Sequence, residues 1–410
     1  MTMGKRAPAD LPFGGVNVIF FGDFLQYPAI GDRSLYCNVA KISSKNDTAK
    51  VNQRNIDRAN ARNLFLQVNH VVELVEQMRN DDPEWTKMQN NLRTGDCDDA
   101  DLALVRSRIV GRAGGAVKSF EDAPWRDAPI LTYRNDLRQR INDIAVINQC
   151  RSKGMKPVVC VAQDTHRKNS LDSNPILQKC ILDLPESETE GLPGYLPLVS
   201  GMPILITENV NTELGLANGT RGIFHELVYD RKINTSLQEH GRFPQDTVYV
   251  AEPTCALVDI ENTSVPIQLP GLPIQRIPIA PVVNYFRVDL STVLPASAIK
   301  SFGPSTQVTI KRSALPIIPA YSMTTHKCQG QTMKHIVIDL VLPGGMPEEI
   351  AARLVPLSRV RDRHSVAILR DFPDSALRVK PSKEQQAELQ RLHELDKKTK
   401  EIFDRFYQYL

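Results

Sequence analysis

Val16-Asn17-Val18-Ile19-Phe20-Phe21-Gly22-Asp23-Phe24-Leu25-Gln26-Tyr27-Pro28 sets a nearly continuous apolar run against a glycine, an acid and a glutamine. Bounded by Gly14-Gly15 on one side and Gly22 on the other, the run has the pattern of a parallel strand buried on both faces. Ligands of such sheets sit just past the carboxyl ends of the strands, and Asp23 and Gln26 stand at that place. The Gln26 amide can accept from water and donate to a phosphate oxygen, although an isolated glutamine here is an ordinary polar loop residue.

The same α/β pattern recurs downstream. Asp82-Pro83-Glu84 offers an N-cap, a proline at the first helical position and an acid in the first turn, and the spacing of Trp85, Met88 and Leu92 predicts a helix that Gly95 stops. Pro129–Tyr133 reads as a strand, and Asn135 as the cap of a helix whose apolar face is Leu137, Ile141, Ile144 and Ile147. Ile336–Leu340 and Val366–Leu369 are two more buried-type strands, with a helical stretch over about 347–361 between them. Strand alternating with helix indicates an α/β layer architecture. From about 223 to 312 the chain shows short β-type segments punctuated by prolines, an all-β insertion. The tail from Ser382 carries Leu389, Leu392, Leu395, Ile402, Phe406 and Leu410 at helical spacing, an amphipathic helix expected to dock on the core.

With 410 residues, 41% hydrophobic and 24% charged, the chain can build two or three domains. Its apolar runs are far shorter than the ~20 residues of a membrane span, and no apolar signal region follows the start, so no membrane or secretory role is expected. The seven cysteines never stand closer than ten residues, which excludes CxxC knuckles; a reducing compartment and no structural zinc are expected. A net charge of +3 does not by itself demand nucleic acid, so local clusters must carry that case.

A motor that hydrolyses a nucleoside triphosphate needs a glycine-rich loop with a lysine, an acid for Mg²⁺, a γ-phosphate sensor and arginines that neutralise transition-state charge. The first two are not found ahead of Gly22. Gly111 to Ser119 fails the G-x-x-x-x-G-K-[ST] template, because Val117 occupies the glycine before Lys118, and reads as a surface turn. Arg79, after Val72-Glu73-Leu74-Val75-Glu76-Gln77-Met78, and Arg359, after Val355-Pro356-Leu357-Ser358, end elements of a second α/β unit; either alone is more often a surface ion-pair residue, but two arginines facing Gln26 form the cleft arrangement of an ATPase. His326-Lys327-Cys328-Gln329-Gly330-Gln331-Thr332 offers amides, a hydroxyl and the start of a following helix, suited to nucleic-acid phosphates.

Taken in order, Pro12 to Gln26, Glu76-Gln77-Met78-Arg79, Leu214-Gly215-Leu216-Ala217-Asn218-Gly219-Thr220-Arg221-Gly222, His326 to Thr332 and Leu357-Ser358-Arg359-Val360 resemble the Pif/RecD branch of superfamily-one DNA helicases over roughly residues 11 to 373. The resemblance implies an α/β, RecA-like P-loop NTPase helicase core, with a partial first domain, a complete second one and a small β-barrel insertion. It implies ATP and Mg²⁺ in the cleft, single-stranded DNA and DNA forks as partners, five-prime to three-prime translocation, a monomer, work in repair, recombination or telomere upkeep, and a nuclear place. By the same resemblance Gln26, Arg79 and Arg359 are the catalytic residues, and Asp23, Gln26, Gly330 and Arg359 bind nucleotide. His326, Lys327, Gln329 and Thr332 meet DNA, as do Asn218 and Arg221 at the entry to the insertion. The corresponding divisions are 1–65, 66–222 with 313–375, 223–312 and 376–410.

Three expectations follow. Pro356 stands where alanine is usual and, inside a helix, threatens the placement of Arg359. Without phosphate loop and metal-binding acid, the chain alone is expected not to hydrolyse ATP at a useful rate, and the alternative is a non-catalytic remnant that binds single-stranded DNA or a protein partner. The Val16–Phe21 strand belongs in the middle of a sheet whose other strands are largely absent, so residues 1–65 are expected to leave apolar surface uncovered or to be poorly ordered.

Overall fold

A computed structural model describes residues 12–29, 32–37, 49–167, 169–171, 174–230, 240–260, 268–294, 306–346 and 349–407. Its chain forms two compact units, one of residues 1–125 with 328–410 and one of residues 126–327. The main helices are α1 (Ala49–Leu66), α2 (Pro83–Thr94), α3 (Asp99–Arg106), α4 (Asn135–Ser152), α5 (Pro175–Leu182), α6 (Ala351–Leu357) and α7 (Lys383–Tyr407). The strands run from β1 (Ile130–Thr132), β2 (Val158–Val161), β3 (Gln163–His166), β4 (Asn169–Ser170), β5 (Tyr195–Leu198) and β6 (Pro203–Ile206) through β7 (Arg221–Tyr229), β8 (Val248–Val250), β9 (Pro253–Ile260) and β10 (Arg276–Ile279). They continue with β11 (Val282–Asp289), β12 (Gln307–Ala314), β13 (Ile317–Pro319), β14 (Ser322–Thr324), β15 (Ile336–Ile338) and β16 (Val366–Ile368).

In the first unit β15 and β16 pair in parallel, Ile336 opposite Val366 and Ile338 opposite Ile368. A bridge from Ile109 to Ile368 extends the ladder. Every side chain of the pair is buried, as their unbroken apolar character requires. Beside them α2 begins and ends where its sequence cues lie: Asp82 accepts from the Glu84 and Trp85 N–H groups, and Gly95 closes the helix at φ 74°. Trp85, Met88 and Leu92 are all fully buried, and Trp85 Nε1 and Gln89 Nε2 donate to the Leu357 carbonyl, one of the carbonyls left over at the end of α6.

Val16–Phe21 corrects the strand expectation. The segment forms no ladder with any described strand, its Val16 N–H reaching only the Phe13 carbonyl, and Val16, Ile19 and Phe21 are 68%, 77% and 87% exposed. Apolar surface is therefore uncovered here, as anticipated, but no strand forms, because a strand exists only through a neighbour's N–H and C=O groups.

In the second unit β1 and β14 pair in parallel, Ile130 opposite Ser322, and α4 packs on them. Asn135 is not the cap; it is the first helical residue, and Arg134 holds the cap position without a side-chain capping bond. The apolar face is corrected in part: Ile141 and Ile147 are half-buried, Ile147 against the core, but Leu137 and Ile144 are exposed while Arg138, Asn142 and Asp143 are buried with Val146 and Cys150. Asn142 makes that face work: its Nδ2 donates to the Pro319 and Ser322 carbonyls, and its Oδ1 accepts from Ser322 N–H. The rest is β-rich, in sheets of order β10-β9-β7-β6-β13, β11-β12-β3-β4 and β5-β2-β8. Strands from 158–206 share these sheets with strands from 221–319, so the β-rich character begins well before residue 223.

Candidate functional site

The first unit brings three of the predicted residues to one neighbourhood. Arg79 Nε donates to Thr332 Oγ1 at 3.0 Å, and its Nη1 donates to the Ser358 carbonyl at 2.9 Å. Arg359 follows immediately and is only 2% exposed; its Nε donates to the Val355 carbonyl and its Nη2 to Ser358 Oγ. Burial, and next the neighbouring Arg79 charge, bring the Arg359 guanidinium down to about 10, with Cys328 and the Asp23 carboxylate opposing. Two arginines thus crowd around Ser358 with no carboxylate bonded to either among the described residues. A concentration of positive charge held this way suits an anion.

Pro356 does not displace this end of α6. Although proline lacks the N–H of its own turn, Ser358 N–H reaches the Leu354 carbonyl at 3.0 Å and carries the helical pattern past it. The Met333 N–H bonds the Arg359 carbonyl at 2.8 Å, tying the His326–Thr332 region to the arginine that follows it.

Asp23 and Gln26 lie on a turn in the same unit. Asp23 accepts from the Leu25 N–H and the Gln26 Nε2, and the Gln26 N–H bonds the Asp23 carbonyl at 3.1 Å. Arg93, in the last turn of α2, grips the Asp23 carboxylate with both terminal nitrogens, at 2.7 and 3.1 Å. Burial raises the Asp23 pKa, but the Arg93 bond and charge outweigh it and hold the carboxyl below its ordinary range. Sequence reasoning missed Arg93; its only signal was a basic residue ahead of a helix-closing glycine, which is common for other reasons. Because both Asp23 oxygens are committed to donors, this carboxylate does not fit a Mg²⁺ ion, which requires free oxygen ligands.

Gly330 takes φ 81°, a left-handed conformation that favours glycine, in a run of turns over Thr325–Gly330. The helix expected after His326–Thr332 does not form, so no helix N-terminus is available there. Gln329 and Thr332 are exposed, whereas Cys328 is fully buried and burial pushes its thiol up to about 12.

The remaining predicted DNA residues belong to the second unit. His326 is exposed, and partial burial pulls its imidazole down. Lys327 Nζ lies 4.0 Å from Glu186, which also pairs with Arg138; burial lowers the ammonium, Glu186 opposing. Asn218 donates its N–H to Asn209 Oδ1, and the turn through Gly219, at φ 95°, delivers Arg221 to the start of β7. These residues build the loop first.

Glu73, His393 and Asp396 are the described group closest to a metal set, with ligand atoms within 4.8 Å of one another. Asp396 already accepts from the Glu73 N–H and from Lys400, so the group is bonded as an ion-pair network. Among the described residues no helix is long and apolar enough to cross a membrane. The turn at Gly111–Lys118 is closed by Gly111 N–H to the Val117 carbonyl and Gly115 N–H to the Arg112 carbonyl, a plain surface turn as its sequence indicated.

No protein-family profile matches the chain. Over 375 residues, 90% of this chain, it is 24% identical to the ATP-dependent DNA helicase PIF1 of Rattus norvegicus, of which it covers 42%. The chain thus spans less than half the length of that curated relative. The crystal structure of Pif1 helicase from Candida albicans superposes with a TM-score of 0.54 at 19% identity, covering 93% of this chain and 70% of that one. Pif1 helicase from Bacteroides in complex with ADP-AlF3 and single-stranded DNA superposes with a TM-score of 0.55 at 16% identity, covering 94% and 68%. The chain is similar to Pif1-type helicases over nearly its whole length and shares their RecA-like α/β fold.

Proposed function

We propose that this chain is the part of a Pif-type, ATP-dependent DNA helicase that supplies the γ-phosphate sensor, the arginines and much of the single-stranded DNA path. One observation carries the reading: Arg79 and Arg359 converge on Ser358, and Arg79 is bonded to Thr332, whose segment is the proposed DNA contact. In this reading Gln26 meets the γ-phosphate and orients water, while Arg79 and Arg359 neutralise the charge that develops as the phosphoryl group transfers. Arg359 must exchange its bonds to Val355 and Ser358 for bonds to phosphate, and those neutral acceptors are weaker partners than an anion. Gly330 gives the turn that lets backbone approach the nucleotide.

The strand of DNA is contacted by His326, Lys327, Gln329 and Thr332, and also by Asn218 and Arg221, and translocation runs five-prime to three-prime. The divisions 1–65, 66–222 with 313–375, 223–312 with its small barrel and 376–410 belong to this reading. A monomer acting in the nucleus on forked DNA is its natural setting.

This chain alone does not hydrolyse ATP at a useful rate, because none of its 410 residues form G-x-x-x-x-G-K-[ST] and Asp23 is held by Arg93. Anisotropy of a labelled dT20 oligonucleotide, titrated across salt, and phosphate release with and without that DNA test both halves. The expected result is binding that falls steeply with salt and no DNA-stimulated hydrolysis. Salt-independent binding or no binding overturns the DNA reading, and brisk hydrolysis overturns the catalytic one.

A further inference from the structure

The second unit carries an exposed aromatic and basic patch outside His326–Thr332. Along β11 and β12 the burial alternates strictly: Phe286, Val288, Val308, Ile310 and Arg312 point inward, and Val283, Tyr285, Arg287, Gln307, Thr309 and Lys311 point outward. The register sets Tyr285 directly opposite Lys311, and Lys311 opposite Thr165 on β3, while Arg287 lies one pleat along β11 opposite Thr309. Opposed side chains in an antiparallel pair stand about 5 Å apart at Cβ, so the phenol ring and the ammonium share one patch. Tyr285 is 63% exposed, and neither Lys311 nor Arg287 is in an ion pair among the described residues.

A solvated sheet face is ordinarily polar and mixed in charge. Here the outward centre is an open aromatic ring with two cations beside it, while the acid of this face, Asp289, stands at the end of β11 and accepts from Gln307 Nε2 at 2.9 Å. The underside is rigid, because Arg312 and Asp164, 0% and 1% exposed, form a two-bonded ion pair, with the guanidinium stacked 5.1 Å from the Phe286 ring. Packed beneath, Leu177, Ile181, Val288 and Ile310 complete the support. A ring held on a fixed sheet, with cations at its side, is the arrangement that stacks an unpaired base and meets its phosphates.

We propose that the outward face of β11 and β12 is a platform for single-stranded DNA, on which Tyr285 stacks a base while Lys311 and Arg287 contact the adjoining phosphates. The occupant is committed by charge and ring together: a duplex buries the base faces that the ring requires, and an acidic peptide offers none. The inference rests on the DNA-binding reading above and extends it to a surface outside the segments from which that reading was made.

Anisotropy with dT20 across a salt series tests it on the full chain, using Tyr285→Ala, Tyr285→Phe and Lys311→Ala. All three positions are outward, so thermal melting should match the parent and a folding defect would be visible separately. Tyr285→Ala should weaken binding by about five- to a hundredfold, with Tyr285→Phe near the parent because the ring is kept. Lys311→Ala should lower the slope of log K against log salt by about 0.7, the loss of one phosphate contact to a single strand. A parent that binds dT20 alongside a Tyr285→Ala variant of equal affinity overturns the platform and leaves the general DNA reading standing. A parent that does not bind at all overturns both. Tighter parental binding to rU20 than to dT20, lost in Tyr285→Ala, overturns the assignment to DNA.

Discussion

The strands β15 and β16 pair in register and bury every side chain, whereas Val16–Phe21, an apolar run of the same kind, pairs with nothing described and leaves Phe21 87% exposed. Both read alike as sequence. The difference is supply of neighbours: Ile338 has Ile368 opposite, and the next chain over, at Ile109, bonds Ile368 in turn. An apolar run therefore encodes a demand for two flanking strands and two covering layers, and the demand is met only where the rest of the chain provides them. Burial is worth roughly 25 cal/mol per Å² of apolar surface, so one run is a foundation of its unit and the other adds little beyond the edge-on contacts of the Phe20 ring with Phe13 and Phe65.

Truncation inside the satisfied pair should have the largest effect. Ile338→Ala removes a fully buried side chain from a close-packed sheet and should cost ~2–5 kcal/mol, read as a shift in the chemical denaturation midpoint. A loss below ~0.5 kcal/mol would show that the β15–β16 layer is as loose as Val16–Phe21 and erase the contrast.

The helix α4 shows the same inversion on a smaller scale, with Leu137 and Ile144 outside and Asn142 inside. Asn142→Ala removes three hydrogen bonds and strands the Ser322 N–H in a buried place, for an expected loss of about 2–4 kcal/mol, against less than ~0.5 for Leu137→Ser. Equal losses would mean that α4 turns its apolar face inward in solution.

One residue on that buried face titrates. Burial pushes the Asp143 carboxyl up to about 6, against the pull of Arg242 at 3.7 Å and of Arg138, and Glu186 adds to the rise. Its folded pKa thus lies above the unfolded value of about 3.9. The folded state binds the extra proton, so Asp143's contribution is complete below about pH 4 and is lost as the pH rises through 6. Asp143→Asn keeps the neutral form at every pH. It should match the parent near pH 4 and exceed it by on the order of 1–2 kcal/mol at pH 8, and a gain equal at both pH values would show that Asp143 is not titrating in this window.

What was legible follows the range of the interactions. The start and stop of α2 depend on Asp82, Pro83 and Gly95 alone, and they fall where the sequence put them; at Gly95 even a Cβ would come within 2.7 Å of the Val379 carbonyl oxygen. The α4 face was misread because the partner of Asn142 is Ser322, 180 positions away, and periodicity carries no record of such a bond. In the site, the order of motifs pointed to Arg79 and Arg359, but the Arg93 grip on Asp23 spans 70 positions and had no local mark. The helix expected after Thr332 does not form, and the segment before it runs in turns through Gly330, whose left-handed φ the composition permitted but did not demand.

The smallest effect expected belongs to the bare run, and it is the one that separates pattern from packing most cleanly. Ile19→Ser changes a side chain that is 77% exposed and has no paired backbone, so its removal forfeits little apolar burial and should leave the denaturation midpoint within ~0.5 kcal/mol. The same change should lower binding of a hydrophobic dye, because Ile19, like Val16 and Phe21, presents apolar surface to solvent. A loss of several kcal/mol would place Ile19 in a buried layer in solution and put the two apolar runs on the same footing. Unchanged stability with reduced dye binding would leave them different, with the chain held together by β15 and β16 while Val16–Phe21 stays open to whatever strand can pair with it.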